Sequence, residues 1–357
     1  MAVSDASQSG TKADRALVPQ QYNLPRVHRN APPVDYDPLR ASAEELDRYH
    51  LPRPPDGAVA PHALANWKRA MSPPLFFLQG DESNVTKLRA WGQQAAVKNA
   101  SPPAQESSQN WSGAYVRSRD AGRFVLVEGT WIVPKPSPPL VGGPGAGLPP
   151  GIFGSSTWIG LDGHDPTSLS LPQIGTAQFV WVDIGDPVVS TYAWWQWWVR
   201  HRDDDAPLQI DPFPVTPGDL VYCRLEVLGL QQVNLFIKNQ SSGAAVSFVA
   251  DAPVPENPPA NAREIVVEAR TAEWILERPM VPASTQYFTL PNYGATVFYA
   301  CNTVLATGAA AEERQLQQAR FIRMTDWDDP NHRGQTVSTA VRQTDTSMLL
   351  YYRGNLP

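Results

Sequence analysis

The sequence has few of the features that mark membrane, redox or nucleic-acid-binding proteins. Its 357 residues include only two cysteines and 18% charged residues, whereas soluble domains usually reach ~25% charge. No apolar run approaches the ~18 residues of a membrane-spanning helix. The formal net charge is −6, and no basic stripe with interleaved aromatic residues is present. We therefore expect neither a membrane nor a nucleic acid as a partner.

The common catalytic and metal-binding motifs are missing as well. The six histidines show no metal-ligand spacing, and the chain contains neither HExxH nor CxxC. It also lacks a GxSxG elbow and a glycine-rich phosphate loop. These absences argue against zinc hydrolases, serine hydrolases of the α/β type and nucleotide-binding enzymes, and we expect no metal and no cofactor.

Redox state and compartment stay open at this level. Cys223 and Cys301 both lie in apolar stretches, where they are either buried free thiols or the two halves of one disulfide. The N-terminal residues lack the apolar core of a signal peptide. Either the protein is not secreted by the general route, or a leader is absent from this sequence.

The chain is rich in proline (36 residues) and tryptophan (12 residues), and its residue pattern changes near residue 100. Residues 1–40 are polar and aperiodic, which is typical of extended or disordered chain. The patterns that follow predict short helices over residues 42–50, with a capping box, over residues 61–71 and over residues 84–98. We interpret residues 1–107 as an N-terminal extension.

From residue 107 onward the helical period disappears. Short alternating segments are separated by proline and glycine turns, including a hairpin signal at 239–243 and a long surface loop at 135–151. Many short antiparallel strands over ~250 residues predict an all-β sandwich or barrel.

Two distant segments carry the most chemical information. LPQIG (171–175) contains Gln173, and AEWILE (272–277) contains Glu273. Alternation along the second segment places Glu273 on one strand face and the tryptophan that follows it on the other. A glutamate is unfavourable inside a strand unless its face lines a cleft or solvent.

These two segments occur together with NWSGAYV, EGTWIVP, STWIGLDG, YAWWQWW and FPVTPGDLV. In that order and approximate spacing, residues 108–357 resemble the glutamic peptidases, also called eqolisins. The resemblance implies a concanavalin-like jelly roll of two antiparallel sheets, with a cleft on the concave sheet. It also implies a monomeric, secreted endopeptidase that acts on polypeptides in acid.

The resemblance assigns catalysis to Gln173 and Glu273. Peptide hydrolysis needs an activated water, a stabilised oxyanion and a proton for the leaving amine. Glu273 would act as general base and then general acid, and Gln173 would donate to the oxyanion. A glutamate near its reference pKa of ~4.3 can fill both roles only in acid. The simpler interpretations are a solvated carboxylate for Glu273 and a strand-edge amide for Gln173.

The resemblance also indicates substrate-binding residues on neighbouring strands. In YAWWQWW, alternation puts Trp194, Gln196 and Trp198 on one face, where they would line subsites or form an ordinary aromatic core. In STWIGLDG, Trp158 and Asp162 would lie near the cleft, although Asp162 is also a common turn former.

Three positions depart from the pattern of the family. Gln196 stands where an acidic residue is expected, Ala177 replaces the acidic residue four positions after Gln173, and Tyr192 replaces an aspartate. Fewer carboxylates would crowd the cleft. The pH optimum, the pKa of Glu273 and the substrate preference therefore stay open.

The function of the protein and the role of its extension each have an alternative interpretation. A tryptophan-rich jelly roll would also suit a non-catalytic, lectin-like carbohydrate-binding module. The extension at residues 1–107 is interpreted as an inhibitory or chaperoning pro-segment, released in acid by autoproteolysis within a flexible stretch near residues 101–108. The alternative is a structural appendage that packs on the outer sheet.

Overall fold

The computed structural model describes most of the chain, including nearly all of the region after the extension. The described residues are 22–88, 106–118, 121–139, 151–183, 185–200, 206–256, 258, 262–281, 284, 286–326 and 334–354.

Within these residues the chain forms two α-helices and nineteen strands. The helices are α1 (Ala43–Arg48) and α2 (Pro61–Ala70). The strands, in chain order, are β1 (Val27–His28), β2 (Phe76–Phe77), β3 (Lys87–Leu88), β4 (Glu106–Ser108), β5 (Trp111–Arg117), β6 (Arg123–Ile132), β7 (Gly151–Leu161), β8 (Ser170–Val182), β9 (Val188–Val199), β10 (Leu208–Gln209), β11 (Leu220–Gly229), β12 (Gln232–Asn239), β13 (Ala244–Asp251), β14 (Thr271–Glu277), β15 (Ala295–Thr307), β16 (Ala310–Gln315), β17 (Arg320–Asp326), β18 (Gln335–Arg342) and β19 (Met348–Tyr352).

The strands form two large sheets. Sheet A has the order β17-β5-β14-β7-β8-β9-β10-β3, with β4 parallel to β17. Sheet B has the order β16-β15-β6-β11-β12-β13, and β1 and β2 pair along the outer side of β13. Strands β18 and β19 connect β17 to β15. The predicted sandwich of two antiparallel sheets is confirmed.

The main core lies between the sheets and follows the alternation of the strands. Trp274 of β14, Trp195 and Trp197 of β9 and Ile174 of β8 face inward, where they meet the apolar positions of sheet B such as Leu235. Their neighbours along each strand face the other way. Glu273, Gln173 and Gln196 therefore lie on the outer face of sheet A, because successive side chains of a strand point to opposite faces.

The extension agrees with the sequence prediction in its first two helices. Ser42 and Glu45 form the predicted capping box of α1, and α2 begins with Pro61 at its first position. The third predicted helix, over residues 84–98, is wrong at its start. Residues Glu82–Val85 form a 3₁₀ turn and β3 pairs with β10, so strand pairing overrides the local helical pattern. The rest of that prediction lies outside the described residues.

Residues of the extension pack against the outer face of sheet B. Leu46, Trp67 and Met71 share a hydrophobic cluster with Tyr222 and Phe236 of that face. The same face holds buried polar groups that donate to backbone carbonyls of the extension. The Lys238 ammonium donates to the carbonyls of Ala70 and Ser72 at 2.8 and 2.7 Å. The Asn234 amide donates to the carbonyl of His50, and the Arg224 guanidinium donates to that of Arg53.

Other features follow the sequence pattern closely. The hairpin at 239–243 joins β12 to β13, and Gly243 has the positive φ of +86° that the turn requires. Cys223 and Cys301 are buried free thiols in the main core, and burial raises the pKa of both well above its usual value. In the described part of the chain, neither helix is long and apolar enough to span a membrane.

Candidate active site

One row of residues crosses sheet A at right angles to the strands and contains both predicted catalytic residues. Tyr115 of β5 lies opposite Glu273 of β14, which lies opposite Gly160 of β7. Gly160 lies opposite Gln173 of β8, which lies opposite Gln196 of β9. Directly opposed residues point to the same face of an antiparallel sheet. The structure therefore brings Glu273, Gln173 and Gln196 together on one face.

Gly160 separates Glu273 from Gln173 by one strand, so their Cα atoms are about 10 Å apart, twice the spacing between strands. Since glycine has no side chain, nothing on the middle strand stands between the two functional groups. A Cβ atom at Gly160 would lie 2.8 Å from Leu171, 3.0 Å from Trp158 and 3.1 Å from the carbonyl of Pro172. The position has no room for a larger residue without a shift of its neighbours.

Glu273 is fully buried and only partly satisfied. Its Oε1 accepts a 3.0 Å hydrogen bond from the backbone N–H of His164. Its Oε2 makes no hydrogen bond of good geometry to a described residue, although the Thr271 side chain and the backbone N–H of Gly163 lie close enough to stabilise the charged form. Burial raises the pKa of Glu273 to about 8, although hydrogen bonds to the carboxylate oppose the rise and nearby Asp162 adds to it. In this arrangement, with Glu273 closed off from solvent, the carboxyl is protonated below a pH of about 8, a value that the sequence left open.

Gln173 is held by a side chain on the neighbouring strand. Its Nε2 donates to the Oε1 of Gln196 at 3.0 Å. A carboxamide nitrogen carries two N–H groups, so one remains available to another acceptor. Both glutamines are buried, and neither the Oε1 of Gln173 nor the Nε2 of Gln196 has a partner in the described part of the structure.

The next row along sheet A holds the two predicted tryptophans. Ile275, Trp158, Gly175 and Trp194 lie opposite one another across four strands. The Trp158 and Trp194 side chains are fully buried in a cluster on the outer face of sheet A, separate from the main core. These tryptophans therefore lie next to the row that carries Gln173 and Glu273.

A second buried carboxyl, Glu277, lies on the same strand and face as Glu273. Its Oε2 accepts a 2.8 Å hydrogen bond from the Nε1 of Trp158, and its Oε1 accepts a 3.0 Å bond from the Nδ2 of Asn110. Burial raises its pKa to about 8. Sequence analysis missed Glu277 as a buried partner of Trp158, although alternation puts it on the face of Glu273.

Asp162 lies in the turn after β7 with a φ of +71°. Its carboxylate oxygens accept hydrogen bonds from the backbone N–H groups of Ala269 and Arg270, each at 2.8 Å. Burial raises its pKa to about 6. The turn-forming alternative thus has a clear structural basis, whereas contact of Asp162 with substrate stays a prediction.

Two of the three departures from the family pattern lie in one place. Ala177 and Tyr192 are directly opposite each other on β8 and β9, and both are buried in the cluster that contains Trp158. The Tyr192 ring lies parallel to that of Phe179, with centroids 6.2 Å apart. A pair without carboxyl groups thus occupies the two positions where carboxylates were expected. Trp198, the remaining predicted subsite residue, is half-buried beside Arg200.

The geometry defines a class of protein: an antiparallel β-sandwich with a buried carboxyl and a buried carboxamide in one row of a sheet face, separated by a glycine. A sequence model of the Peptidase A4 family matches residues 109–349. Because this match covers more than half of the chain, the protein belongs to that family and is a glutamic endopeptidase, a hydrolase. A comparison with curated protein sequences finds no match.

Solved structures with similar folds include three relatives of low sequence identity. Scytalido-glutamic peptidase with a transition state analog inhibitor is 18% identical, with 69% of this chain and 98% of that chain covered and a TM-score of 0.49. SCP-B, a member of the eqolisin family in a complex with the tripeptide Ala-Ile-His, is 18% identical, with 69% of this chain and 98% of that chain covered and a TM-score of 0.46. Aspergilloglutamic peptidase from Aspergillus niger is 17% identical, with 56% of this chain and 99% of that chain covered and a TM-score of 0.41.

Proposed function

We propose that the protein hydrolyses peptide bonds in acid by a dyad of Glu273 and Gln173. The observation that carries this proposal is the Oε2 of a fully buried Glu273, which makes no hydrogen bond of good geometry to a described residue and is placed across Gly160 from a buried carboxamide. An unfilled acceptor on a buried carboxyl is costly to the fold. Such a cost is typical of functional sites.

In the proposed reaction, the Glu273 carboxylate takes a proton from a water molecule as the water oxygen bonds to the scissile carbonyl carbon. The carbonyl oxygen becomes negatively charged, and the free N–H of Gln173 donates to it. Protonated Glu273 then gives its proton to the amide nitrogen as the carbon–nitrogen bond breaks. The products are a carboxylic acid and an amine, and Glu273 is again a carboxylate.

The raised pKa of Glu273 sets a condition on this mechanism. In the closed arrangement the carboxyl is protonated below a pH of about 8. It becomes a base only when water and substrate reach it, since hydration of the charged form lowers the pKa towards the ordinary value. We therefore propose that the buried dyad described here is a resting form, which must open before it can hydrolyse a peptide.

Gln196 fits this scheme despite its departure from the family pattern. Its amide oxygen accepts from Gln173, a task that an acidic residue at this position could also perform. An amide performs it without adding a negative charge beside Glu273. We propose that Gln196 orients Gln173, and that Trp158, Trp194 and Trp198 contact the substrate. The role of Asp162 would be to hold the turn beside Glu273, with substrate contact as the alternative.

The extension is proposed to be a pro-segment that assists folding. Its described residues 22–88 pack mainly on the outer face of sheet B, whereas the dyad lies on the outer face of sheet A. This placement supports a chaperoning role more than direct inhibition by those residues. Of the stretch predicted to be flexible, residues 106–108 form β4 beside β17, and residues 101–105 lie outside the described part.

The proposed function is tested by digestion of a denatured protein between pH 2 and 7, with the products identified by mass spectrometry. Hydrolysis should be lost in Glu273→Gln and in Gln173→Ala, and it should persist with pepstatin, chelators and serine or cysteine reagents. Glu312→Gln, on an exposed strand of sheet B, is the matched control. Retained hydrolysis by Glu273→Gln, or loss of hydrolysis with a chelator, would overturn the proposal.

Incubation of the full-length chain at pH 3 to 4, with N-terminal sequencing over time, tests the pro-segment. New N-termini should appear ahead of β4, within residues 101–105, as activity rises. A full-length chain that remains intact and is active from the first time point would exclude this role.

A further inference from the structure

Three side chains beside Glu273 form a connected cluster that the proposed mechanism does not use. The Nε2 of His164 lies 2.8 Å from the Oε2 of Glu106. The Tyr115 hydroxyl donates to the Oε1 of Glu106 at 2.6 Å. The rings of Tyr115 and His164 are stacked, with centroids 3.8 Å apart and an angle of 11° between their planes.

The cluster is joined to Glu273 through both backbone and register. The backbone N–H of His164 donates to the Oε1 of Glu273. Tyr115 lies directly opposite Glu273 on the neighbouring strand. A backbone N–H has no freedom to reorient independently, so its position depends on how the turn at residues 162–165 is held. Glu106 and Tyr115 hold the His164 ring, and Asp162 anchors the start of the turn.

Other charged or titratable groups face this cluster from each element packed against it. Arg320 of β17 reaches Glu106 at 3.4 Å, and Arg117 of β5 donates to the carbonyl of His164 at 3.1 Å. The turn itself contributes Asp162 and Asp165. The Arg320 side chain is 74% exposed, so water screens its effect. The half-buried pair of Glu106 and His164 is thus the main electrostatic contact of the turn.

We propose that Glu106 and His164 form a positioning pair that keeps the His164 N–H on Glu273 and thereby favours the carboxylate form of the base. This inference rests on the proposed function of Glu273. A backbone N–H that donates to a carboxylate stabilises its charged form and lowers its pKa. The pair acts through Glu273 and touches no reacting atom.

The pair is suited to the acidic conditions in which the family is expected to work. Burial by itself would raise the pKa of Glu106, but hydrogen bonds from His164 and Tyr115 outweigh it and hold the pKa at about 2. Glu106 therefore stays an ionised acceptor for His164 and Tyr115 down to a pH of about 2.

The test compares the pH dependence of kcat/KM for the wild-type chain and for Glu106→Gln. Loss of the ion pair frees the turn, weakens the N–H contact and raises the pKa of Glu273. The acid limb of the profile should therefore move to higher pH by about 0.5 to 1 unit. We expect kcat to fall about 10-fold through misplacement of the base, with KM changed less than about twofold because substrate contacts are intact.

The control is Arg314→Gln, which removes a charged contact with a glutamate on sheet B, outside the dyad row. The Nε of Arg314 donates to the Oε1 of Glu312 on β16 at 3.0 Å. This control should leave the profile unchanged. If Glu106→Gln does not fold, Tyr115→Phe keeps the ring stack, removes one donor to Glu106 and should shift the acid limb in the same direction by less.

The possible outcomes separate the inference from the proposed function. If Glu273→Gln is inactive while the Glu106 and Tyr115 variants keep the wild-type acid limb, the positioning pair is wrong and the dyad stands. A shift to lower pH, or a rise in KM with kcat unchanged, would also overturn the pair. If Glu273→Gln is active, the proposed function itself fails.

Discussion

The outer faces of both sheets bury glutamates, and Glu128 of sheet B and Glu273 of sheet A differ in how they are satisfied. In sheet B, Glu128 accepts from Asn66 at 2.8 Å and from the Tyr222 hydroxyl at 2.7 Å, and Arg224 lies 3.6 Å away. In sheet A, one oxygen of Glu273 makes no hydrogen bond of good geometry to a described residue. Burial raises the pKa of both carboxyls.

Burial and a raised pKa therefore do not by themselves identify a catalytic carboxyl. Glu128 has both, but its acceptors are filled by the sheet and by α2 of the extension. What distinguishes Glu273 is an unfilled acceptor together with a buried carboxamide two strands away in the same row. Four predictions test this distinction.

Replacement of Glu273 should have the largest effect. Glu273→Gln keeps the shape of the side chain and removes its proton transfer, so kcat should fall about 10²–10⁴-fold. Circular dichroism and the unfolding midpoint should change little, because glutamine resembles the protonated carboxyl of the resting form. A loss of fold equal to the loss of activity would contradict this prediction.

Replacement of Gln173 should have the second largest effect. Gln173→Ala removes the proposed oxyanion donor, so kcat should fall about 10²–10³-fold with a small change in KM. Gln232→Ala on β12, which removes a half-buried carboxamide outside the dyad row, provides the control. Equal kinetics for the two variants would argue against a role for Gln173.

Replacement of Glu128 should reverse the pattern seen for Glu273. Glu128→Gln retains one acceptor and weakens the contact with Arg224, so the free energy of unfolding should fall by about 1–3 kcal/mol. Activity of the folded enzyme should remain within about twofold. Urea denaturation and steady-state kinetics on the same preparation decide this, and a selective loss of kcat would refute the structural role.

The last prediction concerns the pH dependence of stability. Glu273 and Glu277 have a pKa of about 8 in the folded chain against an ordinary value of 4.5. The folded state therefore keeps protons that the unfolded state releases, and stability falls as pH rises from about 4.5 to about 8. Glu277→Gln should lower by about one the number of protons released on unfolding in this pH range. Urea unfolding at pH 4.5 and pH 8 measures the change, and an unaltered slope would disprove it.

Much of the sandwich could be predicted from residue patterns alone. Alternation in AEWILE predicted that Glu273 and Trp274 point to opposite faces of the sheet. In YAWWQWW it predicted one face for Trp194 and Gln196 and the other face for Trp195 and Trp197. These predictions succeed because the two-residue period of a strand is a local property. The order of the strands required the family resemblance.

The contacts that complete the site could not be predicted in this way. His164 and Glu106 are 58 residues apart and meet only because the turn after β7 packs beside β4 and β5. Glu128 lies in one of the segments that carry the family resemblance, but its burial depends on α2 and on Arg224 of the opposite strand. Such contacts depend on tertiary packing, which no local period encodes.

The short strands of the extension have a consequence for solubility. β1 and β2 pair along the side of β13 that faces away from β12, and β3 pairs along the side of β10 that faces away from β9. Without these pairings, both sheets would end in exposed edge strands with open N–H and C=O groups, which invite other chains to add to the sheet. A chain that lost residues 22–88 would therefore tend to aggregate through β13 and β10, whatever happened to its activity.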